Sequence, residues 1–300
     1  MNELAPIAVF VYNRPKHTLQ LLESLKKNTL LAQSEVYFFS DSAKKPEHEG
    51  DVQAVRKVIH GFSGAKKINI VEQTENKGLA NSIIAGVSKI FENHHSIIVL
   101  EDDLIVSDDI LNFFNEGLQF HEKNSSVFSL SGYTPSIEIP QNYKHDTYLV
   151  PRISSWGWAT WKNRWSTVDW KVSDFSAFIK NKEAIKKHNL GGEDVTAMLI
   201  NQMTGQIDSW AIRFNYGCYK QNGYCVYPCV TKVKNNGADG TGTHVSATNK
   251  YNAEISNKKI QFSNLEPNKE IQKRFQVFYN PSLIRRCINF FKVLRMQQQS

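Results

Sequence analysis

No apolar run in this chain approaches the roughly 18–20 residues needed to cross a bilayer. The opening Met1-Asn2-Glu3-Leu4 also lacks the basic start of a secretory leader, and the apolar stretch behind it ends at Asn13-Arg14-Pro15. Both absences lead us to expect a cytoplasmic protein. Cysteine is scarce: Cys218, Cys225, Cys229 and Cys287 form no CxxC pair, and nothing completes a zinc site around Cys225 and Cys229. Reduced, partly buried thiols fit a reducing compartment. Neither GxGxxG nor GxxxxGK[ST] occurs, which removes the Rossmann dinucleotide fingerprint and the P-loop. Internal repeats, low-complexity tracts and any recognised nucleic-acid module are missing as well. The net charge of +7 favours anionic partners. Its lysines are nevertheless spread along the chain, so we expect no nucleic acid as a partner.

What is present is a rhythm of buried strands and amphipathic helices. Ile7–Tyr12 reads as a strand, and Pro15 then opens a helix whose Leu19, Leu22 and Leu25 share a face. Val36–Ser40, Ile68–Glu72 and Ser96–Leu100 follow as strands, separated by helices over Val52–His60 and Gly78–Phe91. This alternation predicts an α/β fold with a mostly parallel sheet flanked by helices. Ligands in such sheets bind outside the carboxyl ends of the strands. Polar residues collect at those ends: Asn13-Arg14, Asp41 and Glu101-Asp102-Asp103. The second half is less regular. Strands are expected at Val127–Ser131, Tyr148–Pro151 and Tyr224–Thr231, and a tryptophan-rich loop with a short helix at Ser154–Trp165. Helices are expected over Phe175–His188, Asp194–Met203 and Ser209–Gln221.

The strongest chemical signal is the acidic triplet that ends Ile97-Ile98-Val99-Leu100. Adjacent carboxylates repel one another, and a divalent cation relieves that cost. Their oxygens suit Mg²⁺ or Mn²⁺, which commonly take one or two carboxylates plus substrate phosphates. A solvated acidic turn is the competing reading. The triplet after a central strand resembles the acidic motif of GT-A fold glycosyltransferases. In its Glu-Asp-Asp form it is similar to that of the N-acetylglucosaminyltransferase I family and of bacterial family-two-like glycosyltransferases. The resemblance covers roughly residues 5–245. It implies that Asp103 binds the metal and that Glu101 and Asp102 contact the ribose and sugar of a nucleoside-diphosphate donor.

Further segments carry the resemblance in the same order. Val9-Phe10-Val11-Tyr12-Asn13-Arg14-Pro15 resembles the family's first strand, which implies that Arg14 meets the donor; a guanidinium fork suits diphosphate oxygens. Asp41 in Phe39-Ser40-Asp41-Ser42 stands where the family uses an aspartate on the base, although aspartate also forms turns and caps. Asn76-Lys77-Gly78-Leu79-Ala80 resembles the Asn-x-Gly-x-Ala segment of inverting members and opens a helix, a place that favours anions. Lys77 joins the nucleotide site on that ground. Ser155-Trp156-Gly157-Trp158 is similar to the family's Gly-Trp segment near donor sugar and acceptor. At least one of its tryptophans is expected to be a core anchor, and Trp156 and Trp158 are both candidates for the sugar. Ile207-Asp208-Ser209-Trp210 resembles the segment holding the catalytic base, with Glu193 and Asp194 in reserve because the family often has two acids here. Asp208 is also placed to cap a helix. Asn236-Gly237-Ala238-Asp239-Gly240-Thr241-Gly242-Thr243-His244 looks like a flexible loop that can fold over phosphates, and the resemblance makes His244 a second metal or diphosphate contact.

The resulting expectation is a GT-A catalytic domain over residues 1–250, with 1–103 binding nucleotide and 104–250 binding acceptor. It implies inverting transfer from a UDP-linked donor to a hydroxyl of a glycan or lipid-linked acceptor, in surface polysaccharide or glycan assembly. A sugar nucleotidyltransferase and a non-catalytic sugar- or lipid-binding protein are the rival readings. Residues 251–300 form a helical extension. Within it Leu283, Ile284, Cys287, Phe291 and Leu294 share one face of a basic amphipathic helix, with Arg285, Arg286, Lys292 and Arg295 largely off it. Such a helix either lies on the inner face of the cell membrane or packs on the domain.

Overall fold

The structure, a computed structural model, describes residues 3–237, 250–251 and 253–299. Strands β1 (Ile7–Val11), β2 (Glu35–Ser40), β3 (Lys67–Glu72) and β4 (Ser96–Glu101) alternate with helices α1 (Pro15–Leu25), α2 (Glu49–His60) and α3 (Leu79–Ile90). Pro15 starts α1 because its fixed φ suits a first helical turn that has no use for its missing N–H. After β4 come β5 (Leu104–Val106), α4 (Ile110–His121), β6 (Val127–Ser131), β7 (Thr147–Val150) and β8 (Trp158–Trp161). Helices α5 (Lys162–Trp165), α6 (Phe175–Lys180), α7 (Lys182–His188), α8 (Val195–Met203) and α9 (Trp210–Lys220) then lead to β9 (Tyr224–Pro228) and β10 (Val233–Asn235). The chain closes with α10 (Lys269–Tyr279) and α11 (Leu283–Gln299).

Eight strands form one mostly parallel sheet in the order β3-β2-β1-β4-β8-β6-β9-β7, while β10 pairs antiparallel with β5 in a separate ribbon. β3, β2, β1 and β4 run parallel; β8 and β7 run against their neighbours. All five residues of β1 are buried, as a central strand covered on both faces requires. Ile7, Val9 and Val11 belong to the core shared with α1, α2 and α4, whereas Ala8 and Phe10 belong to the one shared with α3 and α9. The helix periodicity of α1 departs from expectation: Thr18, Leu21, Leu22 and Leu25 face the core, and Leu19 points to solvent.

Three other expectations are corrected. The tryptophan-rich segment is not a loop throughout, because Trp158–Trp161 is a buried strand between β4 and β6. Trp158, 1% exposed, stacks on Trp210 at 4.8 Å and Trp165 at 5.8 Å and meets Phe214. Ring surface committed in this way leaves Trp158 no face for a sugar. Phe175–His188 is two helices, broken at Asn181, whose extended backbone frees its side chain to accept from Ala184 N and cap α7. Last, β9 ends at Pro228, three residues short of Thr231, since proline lacks the N–H to continue a ladder.

Two buried cations tie the layers together. Arg164 lies over the Trp161 ring at 4.5 Å and donates to the carbonyls of Glu122 and Asn124 behind α4. Lys232, wholly buried, donates to Asp109 at 2.6 Å and to the Lys258 carbonyl at 2.6 Å. The C-terminal region packs back on the sheet through Ile260 and Leu265, and through Ile271 and Phe275 of α10 against Tyr148 and Tyr227. Helix α11 rests on α8 and α6. Among the described residues no helix is long and apolar enough to cross a membrane.

The aromatic stack assigns Trp158 a cost. Trp158→Ala should destabilise the fold by about 3–5 kcal/mol, the range for a buried large-to-small change. Trp156→Ala should cost far less; chemical denaturation of both variants checks the contrast.

Candidate active site

The strand directions bring the carboxyl ends of β1, β2, β4, β6 and β9 to one rim, together with the segments that precede β7 and β8. Glu101, Asp102 and Asp103 stand at the centre of that rim, beside the end of β1. The backbone N–H of Tyr12 donates to Asp102 Oδ2 at 3.1 Å. Arg14 donates from Nη1 to Asp103 Oδ2 at 3.0 Å. From the opposite side, the β5–β10 ribbon returns Asn235, whose Nδ2 donates to Asp103 Oδ1 at 3.1 Å. Asn236 N donates to the Asp103 carbonyl, and Gly237 N to Asn235 Oδ1. A Cβ on Gly237 would lie 2.3 Å from Asp103 Oδ2 and 2.8 Å from Arg14 Nη1, so only glycine closes this bracket without displacing it.

Electrostatics follow from the crowding. Burial, then the charges of Asp103 and Asp102, hold the Glu101 carboxyl well above the usual carboxylate range. Burial and Asp103 push Asp102 up to about 7, against the lowering pull of the Tyr12 N–H and Arg14. Glu101 Oε1 is buried with no hydrogen-bond partner. An orphaned carboxylate oxygen next to the partly open Asp103 side chain fits a divalent cation that draws its other ligands from substrate phosphates. Among the described residues no three His, Cys, Asp or Glu side chains build a cage alone. His244, expected as a second ligand, lies outside the described residues.

Around this centre the other predicted residues divide. Asp41, at the end of β2, accepts from Lys77 N and Gly78 N at 2.9 Å each and from Ser42 N. It thereby anchors the Asn76–Gly78 segment, in which Gly78 has φ 75°, and leaves the Lys77 side chain exposed at the rim. Trp156 is half-buried at the same rim, edge-on to Tyr133 at 4.6 Å and to Tyr251 at 5.4 Å. Trp210, two residues after Asp208, stacks on Trp158, whose strand partners are Val99, two residues before the end of β4, and Ser131, the last residue of β6, so the start of α9 lies toward this end of the sheet. Ser209 caps α9 by accepting from Ile212 N, which relieves Asp208 of the capping role. The Asp208 carboxylate is 58% exposed and held by Arg213 Nη2 at 3.0 Å. The reserve acids are engaged elsewhere: Asp194 takes a two-pronged bond from Arg152 at 2.8 and 3.0 Å, and Glu193 pairs with Arg286.

Sequence reasoning missed Asn235 as a donor to Asp103, Gly237 as the residue that donates to Asn235, and Tyr12 as a donor to Asp102. The available signal was the Asn235-Asn236-Gly237 turn, whose asparagines offer side-chain hydrogen bonds at the edge of a short strand.

Comparison with known proteins gives a family. The sequence model described as Glycosyl transferase family 2 matches residues 7–188, more than half of the chain. No curated protein matches. Among solved structures, the chain is similar to the mannosyltransferase PcManGT from Pyrobaculum calidifontis, solved with GDP-Man and Mn2+, at 15% identity and TM-score 0.37, with 55% of this chain and 48% of that one covered. It is also similar to S. aureus TarS 1–349, at 11% identity and TM-score 0.40, covering 78% and 61%. A UDP-glucose pyrophosphorylase complexed with UDP-glucose is a third, at 10% identity and TM-score 0.38, covering 75% and 90%. The chain thus spans about half to three fifths of the length of the first two.

Asp102 supplies a pH test of this geometry. Its folded value lies above its ordinary 3.8, so the protonated form favours the fold. That contribution is complete below 3.8 and is lost as the pH rises through about 7. Asp102→Asn, measured with a chelator present, should be more stable than the parent at pH 8 by at most about 4 kcal/mol, at 1.36 kcal/mol per pH unit. The advantage should shrink toward pH 4. A constant difference between the two melting curves across this range would contradict the assignment.

Proposed function

We propose that this chain, which belongs to glycosyl transferase family 2, moves a sugar with inversion from a UDP-linked donor to an acceptor hydroxyl. One observation carries the reading: the acidic triplet at the end of β4 is bracketed by Arg14, Asn235 and Gly237 at the rim where an α/β sheet takes its ligands. The nucleoside would lie over the ends of β1 and β2, with Arg14, Asp41 and Lys77 around it. Glu101 and Asp102 would meet ribose and sugar, and Trp156 would offer its ring to the sugar or acceptor.

Asp103 would hold Mg²⁺ or Mn²⁺, joined by His244 on the sequence reading alone. A cation there would stabilise the negative charge that builds on the departing diphosphate. Asp208 would take the proton of the acceptor hydroxyl as its oxygen attacks the anomeric carbon opposite the leaving group. The Arg213 pair supports that role, because it orients the carboxylate while more than half of its side-chain surface stays open. A glycan or lipid-linked acceptor, as in surface polysaccharide assembly, suits an exposed base at the rim. The nucleotidyltransferase alternative needs a glycine-rich, lysine-bearing loop after the first strand. Here Tyr12-Asn13-Arg14 joins β1 directly to α1.

Two substitutions test binding and chemistry apart. Asp103→Ala should abolish the Mn²⁺-dependent part of UDP affinity in calorimetry with the circular dichroism spectrum unchanged; equal affinity would remove Asp103 from the metal site. Asp208→Asn should keep donor affinity while kcat falls by about a hundredfold or more, the scale of general-base assistance. Near-normal turnover would reassign the base, and an NMR spectrum of the product's anomeric proton decides inversion.

A further inference from the structure

Helix α11 presents its apolar side to solvent. Leu283 and Ile284 are each 76% exposed, and Ile288, Phe290, Phe291 and Leu294 are exposed as well. At 100° per residue, Leu283, Cys287, Phe290 and Leu294 fall along one line, with Ile284 and Phe291 beside it. The side turned to the protein is thinner and more polar. Val293 and Met296 touch the α6–α8 layer, Lys292 bonds to Asn201, and Gln297 donates to the Ile179 carbonyl at 2.9 Å. A helix that only packed on the domain would have these faces the other way round. Half of the large apolar side chains exposed among the described residues sit on this one helix, a concentration that marks an interaction surface.

Charge identifies the occupant. α11 contains Arg285, Arg286, Lys292 and Arg295 and no acid; Arg286 pairs with Glu193 and Lys292 bonds to Asn201, while Arg285 and Arg295 are exposed. Residues 251–300 hold nine lysines and arginines against three acids, whereas the preceding 250 residues are nearly balanced, so the net charge of +7 resides almost wholly in the extension. A second copy of the chain would bring the same cationic helix against itself. An anionic lipid surface satisfies both features, since it accepts apolar side chains among its acyl chains and attracts arginines to its headgroups. We infer that α11 is a docking helix that seats Leu283, Ile284, Phe290, Phe291 and Leu294 in an anionic membrane surface.

The groove between α8 and α11, lined by Ile200, Thr204, Gln206, Ile288 and Phe291, reaches to within two residues of Asp208. Docking would therefore turn this edge of the rim toward the lipid. The inference itself rests on α11 alone and its test needs no turnover. Removing α11 would uncover Val293 and Met296 contacts, so point substitutions at exposed positions are used instead. The full chain should co-sediment with vesicles of phosphatidylcholine and phosphatidylglycerol, far less with phosphatidylcholine alone, and progressively less as salt is raised. The triple variant Leu283→Ser, Ile284→Ser, Phe290→Ser should keep the parent's Tm and lose binding roughly tenfold or more. Absence of co-sedimentation by the parent, or equal binding by the variant, would overturn the inference. So would a concentration-dependent dimer, formed without lipid, that the triple variant abolishes.

Discussion

Three adjacent carboxylates at the end of one central strand must be neutralised, and much of the surrounding architecture is arranged around that need. The end of β1 contributes a backbone N–H to Asp102 and a guanidinium to Asp103. The β5–β10 ribbon, which pairs Leu104 with Asn235, adds the Asn235 amide. What these donors leave unanswered appears as protonation: Glu101 and Asp102 hold their protons more tightly than isolated carboxyls do. Repulsion of this kind stores affinity for a cation. Lining a cleft with it costs stability when the cleft is empty and returns that cost on binding.

Rigidity beneath the rim complements flexibility of charge above it. Trp158, Trp165, Trp210 and Phe214 form a continuous aromatic block between β8 and α9. A side chain at the rim keeps a fixed position only where the elements beneath it are themselves fixed. Asp208 gains this from three neighbours: the Trp210 anchor two residues on, the Ser209 cap that fixes where α9 begins, and the Arg213 pair. None of the three covers the carboxylate.

The sequence made the first half of the fold legible because buried strand segments such as Ile7–Val11 and residues 97–100 are continuous apolar runs that local pattern reports. The same pattern misassigned Leu19, since periods of three from Leu19 to Leu22 to Leu25 fit a helix face that tertiary packing rotated toward Leu21. Trp158 illustrates a different limit. A tryptophan suits a sugar platform and a core equally well by composition, and only its partners in β4 and β6 decide. Asp208 shows the reverse: a capping reading that sequence could not dismiss fell once Ser209 took the cap. Asn235 was unreadable because the ribbon that delivers it joins residues more than a hundred positions apart.

Lys232 and Asp109 carry an implication for how this chain can vary over time. Each is the other's charge partner, and Lys232 has no access to water. Loss of one alone strands a buried ion, at about 3–5 kcal/mol, whereas an apolar pair of matched volume can be neutral or better. Neither position can drift by single steps through functional intermediates. Descendants of this sequence should keep both residues or replace both together, so that two sites 123 positions apart in the chain evolve as one character.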